Sequence, residues 1–92
     1  MSERGRNMGK MMMIEGLMEA AAERGHTAIL KILLSMEKDA DLDYLLCLAA
    51  SGGHLETIRF LLSQGAVITS SAVNIARNHK YYGTATYLKR MR

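Results

Sequence analysis

Apolar positions along this chain fall into short helical periods separated by polar turns. The clearest case is Asp43 to Ala66, DYLLCLAASGGHLETIRFLLSQGA. Tyr44 to Ala50 is apolar on nearly every side, the pattern of a helix covered on more than one face. Leu55, Ile58, Leu61 and Leu62 then recur at helical spacing, with Glu56, Arg59 and Ser63 between them. Gly52-Gly53-His54 forms the hinge. Gly53 can take the left-handed conformation that ends the first helix without a Cβ clash. Glu56 stands in the first turn of the second helix, where the dipole favours an anion, and Gly65 is a stop signal. The stretch predicts a buried inner helix followed by an amphipathic outer one.

The pattern recurs. Shifted back by 28 residues, Ala49-Ala50-Ser51-Gly52-Gly53-His54 lands on Ala21-Ala22-Glu23-Arg24-Gly25-His26, and Ile58, Leu61 and Leu62 land on Leu30, Leu33 and Leu34. Shifted forward by 26, Ala50 lands on Ala76, Leu61 on Tyr87 and Leu62 on Leu88. A fixed period in this range marks a solenoid. The chain resembles the ankyrin repeat family in three stretches: AAAERGHTAILKILL (Ala20 to Leu34), LAASGGHLETIRFLLSQGA (Leu48 to Ala66) and AVNIARNHKYYGTATYLK (Ala72 to Lys89). It departs from the common repeat in having no proline and no Thr-Pro-Leu-His turn. Its spacings of 28 and 26 also fall short of the usual period of about 33. In the third repeat His79 and Lys80 stand where Gly-His is expected.

The expected fold is all-α, a solenoid of three stacked antiparallel helix pairs forming one domain over residues 1–92. Residues 1–8 read as a loose leader, because Gly5, Asn7 and Gly9 do not favour helix. The repeats span about 9–37, 41–66 and 70–92. The first helix runs from about Gly9 or Lys10 to Arg24, with Met12, Leu17, Met18, Ala21 and Ala22 as its apolar side. Thr27 to about Glu37 is its partner, with Leu30, Leu33 and Leu34 inward and Lys31 outward. Lys38 to Asp43 is a polar turn in which Asp41 or Asp43 caps the next helix, and Ser70 or Ser71 caps the third inner helix. That helix ends near Asn78, and the last one covers about Tyr82 to Met91.

Charge sharpens this picture. Residues 1–56 hold all nine acids against six basic residues, while residues 57–92 hold six basic residues and no acid. Sequence order is spatial order in a solenoid, so the basic charge gathers at the C-terminal end. The single cysteine, Cys47, has no disulfide partner within the chain. It reads as a small buried apolar residue, consistent with a reducing, cytoplasmic setting. No apolar run approaches the ~20 residues of a transmembrane helix. Glu15 interrupts Met11-Met12-Met13-Ile14 too early for a signal peptide.

Catalytic chemistry finds no footing. There is no phosphate loop, nucleophile elbow or paired-carboxylate arrangement. His26 and His54 occupy one repeat position and so lie about a repeat apart, too far to share a metal. Asp39, Asp41 and Asp43 alternate, but no glycine turn or closing Glu makes a calcium loop of them. The sequence therefore points to no enzyme, no cofactor and no metal. The resemblance implies a protein-interaction module binding a partner across the inner-helix concave surface. Matched residue by residue, that surface comprises Glu23 and Arg24, then Ser51, then Arg77 and Asn78, with Asp43 and Tyr44 extending it. The alternative is a nucleic acid or other polyanion at the basic end, through Arg77, Lys80, Tyr81, Tyr82, Lys89, Arg90 and Arg92. The balance favours protein over nucleic acid. The chain is expected to be a monomer or to self-associate weakly through the Met-rich segment Met11 to Ile14.

Overall fold

The structure, a computed structural model, describes the backbone of residues 3–92 and the side chains of residues 13–92. Six helices follow in order: α1 (Glu3–Arg24), α2 (Thr27–Met36), α3 (Leu42–Ser51), α4 (Leu55–Ser63), α5 (Ser70–Asn78) and α6 (Tyr82–Met91). Among the described residues there is no strand. The inner helix of each repeat packs on its own outer helix, α1 on α2, α3 on α4 and α5 on α6. Stacking then joins α1 to α3 and α3 to α5 along the inner layer, and α2 to α4 along the outer one.

Each pair is closed by the same turn. The backbone N–H of His26 donates to the Ala21 carbonyl, that of His54 to Ala49, and that of Tyr81 to Ala76, at 2.8–3.0 Å. The residue before each donor has positive φ: Gly25 at 77°, Gly53 at 71° and Lys80 at 67°. This six-to-one bond with a left-handed residue satisfies carbonyls that the helix end leaves free. It also corrects the third register. The step from Gly53 to Lys80 is 27 residues, so Lys80-Tyr81 takes the place expected of His79-Lys80. Two adjacent alanines, Ala49 and Ala50, had made the shorter shift look equally good.

The core is one continuous cluster. Leu30, Ile58 and Ala85 hold one repeat position and Leu33, Leu61 and Leu88 another, all buried. Each buried Leu or Ile contributes about 1.5–3 kcal/mol over an exposed one. Leu34 and Leu62, expected inward, are only half-buried. The buried hydroxyls of Thr27 and Thr57 bond each other at 2.7 Å across the α2–α4 joint. No buried side-chain polar atom among the described residues lacks a partner.

Several local expectations shift. α1 begins at Glu3, so most of the expected leader lies within it; no proline breaks the helix there. The side chain of Met12 lies outside the described residues. Leu17, expected on the apolar side of α1, is 51% exposed. Cys47 is half-buried rather than buried. Of the two candidate caps for α3, Asp41 accepts from the Tyr44 N–H at 3.1 Å. Asp43 instead reaches the next turn, accepting from the Val67 N–H at 2.7 Å. α5 is capped by Thr69, whose hydroxyl accepts from the Ala72 N–H, and not by Ser70 or Ser71. The helix starts one residue earlier than a serine cap allows, and Thr69 has the extended backbone a cap requires.

Candidate interaction surface

The inner helices carry the residues singled out above, and the turn geometry sets which of them correspond. Glu23, Ser51 and Asn78 occupy one repeat position, in the last turn of α1, α3 and α5. Glu23 and Asn78 are exposed, whereas the Ser51 hydroxyl donates to the Leu48 carbonyl at 2.6 Å and is half-buried. Arg24 is exposed at the end of α1. Arg77 is not its counterpart: with the corrected register it holds the position of Ala22 and Ala50, both fully buried. Arg77 therefore belongs to the C-terminal end of the stack. Its charge there also complements the last turn of α5.

The joints between repeats draw on the same turns. His54 Nε2–H donates to the Glu23 carbonyl at 3.0 Å, linking repeats one and two. Its ring lies against Gly25, where an added Cβ would stand 2.5 Å from the imidazole. In the same way the Tyr81 ring lies against Gly53, 2.5 Å from the site of a Cβ. A ring from repeat two and a ring from repeat three thus each rest on the glycine of the repeat before. Sequence reasoning took these histidines as features of the repeat and missed the contact, because Tyr81 hid the third member of the series.

Between α1 and α3 the surface sinks into a shallow recess of about 210 Å³ lined in part by Glu15, Glu19, Asp41 and Tyr44. Tyr44 is 48% exposed at its edge. Three carboxylates and one aromatic ring make the recess acidic with an apolar anchor. The sequence reading named Tyr44 but not Glu15 or Glu19, which lie upstream of the Ala20 to Leu34 stretch that carries the resemblance. A wider recess of about 440 Å³ between the outer helices α2 and α4 is lined by both charge signs, and its one aromatic, Phe60, is covered by the Lys31 ammonium 5.4 Å from the ring centroid.

The Cys47 thiol is pushed up, first by burial and secondarily by the nearby charges of Asp43 and Asp41. The Thr69 hydroxyl opposes them. A raised thiol is a poor nucleophile at neutral pH. Among the described residues no group of His, Cys, Asp and Glu is arranged to hold a metal, and no helix is long and apolar enough to cross a membrane. At the basic end, Arg77, Lys80, Tyr82, Lys89, Arg90 and Arg92 are exposed. Tyr81 is committed to Gly53, which removes one of the two rings considered for base stacking.

No curated protein and no solved structure matched the chain significantly. A family model, ankyrin repeats (3 copies), matches residues 16–89. That span contains all three ring-bearing turns and both repeat joints. Proteins of this kind are generally non-enzymatic modules for binding other proteins, and this chain belongs to the ankyrin repeat family.

Proposed function

We propose that this chain binds a protein partner across its inner helices, with the acidic recess between α1 and α3 as the centre of contact. The observation that carries this reading is Tyr44, a half-exposed ring at the edge of a recess lined by Glu15, Glu19 and Asp41. Interface energy concentrates in a few central residues, Tyr prominent among them. The surrounding carboxylates favour a partner segment bearing Lys or Arg. Glu23, Arg24, Ser51 and Asn78 extend the surface along the ends of the inner helices, and Asp43, in the first turn of α3, supports it by holding the Val67 N–H. Arg77 contributes from the C-terminal edge. A single thiol without a partner supports a reducing, cytoplasmic setting.

The test is partner capture by the wild type and two variants, with cross-links mapped by mass spectrometry. Tyr44→Ala with Glu19→Lys should weaken capture at least ~10-fold, the loss of one central anchor. Its melting temperature should stay close to wild type, since neither side chain is buried. Lys31→Glu with Arg59→Glu, on the outer helices, should leave capture intact. The reading fails if the outer pair abolishes capture and the inner pair does not. Capture kept or strengthened by the inner pair, weakened by the outer pair and lost steeply with added salt would instead indicate a polyanion.

A further inference from the structure

The core side of the inner helices repeats itself: Met18, Leu46 and Val73 hold one position, and Ala21, Ala49 and Ala76 another. The solvent side does not. With the corrected register, α1 presents Glu15, Gly16, Glu19, Ala20 and Glu23 there. The same positions of α3 hold Asp43, Tyr44, Cys47, Leu48 and Ser51. Those of α5 hold Ser70, Ser71, Asn74, Ile75 and Asn78. None of these residues is buried. The chemistry of this side therefore changes along the stack. α1 contributes carboxylates around two small residues. α3 contributes Tyr44, Cys47 and Leu48, and its Asp43 is already engaged by the Val67 N–H. α5 contributes hydroxyls and amides around Ile75, with no charge at these positions.

We propose that this side selects a linear segment of another protein whose chemistry runs in the complementary order. Lys or Arg lies over α1, a large apolar residue over α3, and Asn, Gln, Ser or Thr over α5. The inference rests on the partner-binding reading above and adds the order and orientation of the partner. Charge places the basic end, since the Glu residues gather on α1 and no carboxylate on this side of α5 competes with them. Apolar area places the middle, where the Tyr44 ring is 48% exposed and Leu48 beside it is half-buried. Space places the basic side chain itself. No heavy atom lies within 4 Å of an added Cβ at Gly16, so α1 is open where α3 carries the Tyr44 ring. A Lys or Arg stem fits across Gly16 and Ala20 with its charge among the carboxylates.

Spacing sets the register of the segment. Packed helices stand about 8–10 Å apart. A chain in the polyproline II conformation advances about 3.1 Å per residue with three residues per turn. Every third side chain then faces the same way, about 9 Å further on, one for each inner helix. The Met-rich segment Met11 to Ile14, expected to mediate weak self-association, precedes this side of α1, and the side chains of Met11 and Met12 lie outside the described residues.

Selection of random linear peptides against the full chain tests the order. Selected peptides should carry Lys or Arg at one end, a large apolar residue about three positions on, and an amide or hydroxyl about six positions on, in either chain direction. A photo-reactive group at the basic end should cross-link to α1, and one at the far end to α5. Gly16→Gln fills the opening yet favours helix. It should weaken a selected peptide at least ~5-fold while raising the melting temperature by roughly 2–5 °C. A merely structural role would move both the same way. Asn74→Glu should turn selection toward peptides basic at both ends. Peptides that need Tyr44 and Glu19 but carry Lys or Arg at no fixed end overturn the order and leave the partner reading standing. So do peptides whose basic end cross-links to α5. Peptides indifferent to Tyr44→Ala with Glu19→Lys overturn the partner reading and this inference with it, as does the absence of any selectable peptide.

Discussion

Three residues at one repeat position, Gly25, Gly53 and Lys80, show how much one backbone angle controls. All have positive φ. At Gly53 an added Cβ would meet both a strained backbone and the Tyr81 ring, at 2.5 Å from Cδ1. Left-handed strain and overpacking act together there, so Gly53→Ala should destabilise the chain by on the order of 2–4 kcal/mol. Lys80 has the same backbone but no ring against it, so Lys80→Gly should leave stability within ~1 kcal/mol of wild type, strain relief offsetting backbone entropy. Thermal melts of the two variants check this pair. Equal melting of Gly53→Ala and wild type would mean that the ring does not rest on Gly53. The same position marks the limit of the sequence reading. Gly-His was legible twice because side chain and conformation agree. Lys80-Tyr81 was misread by one residue because the left-handed turn was kept while its usual glycine was not.

At the scale of elements, the helices and their order followed from periodicity, and the ankyrin resemblance fixed how they stack. What escaped was the traffic between repeats, which depends on side chains distant in sequence. Asp43 looked like a cap and proved to hold the Val67 N–H. Thr27 and Thr57 carried no signal in a periodicity argument, yet their hydroxyls form the one buried side-chain bond between α2 and α4 among the described residues. Removing one partner strands the other. Thr27→Val or Thr57→Val should each cost about 1–2 kcal/mol, whereas the double substitution should cost less than the sum of the two, because two apolar groups of the same shape need no partner. Denaturant unfolding of the four proteins closes the cycle. Additive losses would show that the hydroxyl pair is not coupled.

At the scale of the molecule, the charge asymmetry read from sequence is preserved in space by linear stacking. Its meaning changed once the register was corrected. Arg77 and Lys80 had been weighed as ligands for a partner or a polyanion. By position they end the array, occupying places that alanine and glycine fill elsewhere. The acidic recess was only partly legible, since Tyr44 stands out at the start of the central inner helix, whereas the approach of Glu15 and Glu19 to it depends on how α1 stacks on α3.

The rings resting on glycines also give the molecule two built-in magnetic reporters. Circulating π-electrons of His54 displace the α-proton resonances of Gly25, and those of Tyr81 displace the resonances of Gly53. Each glycine therefore reports on one joint, without a label and in a chain that has no tryptophan. The first half of α6 contains Gly83, Thr84 and Thr86, residues of low helix propensity. On heating, the Gly53 signals should relax to ordinary glycine values before those of Gly25, showing that the third repeat detaches first. Simultaneous relaxation would show that three short repeats melt as one.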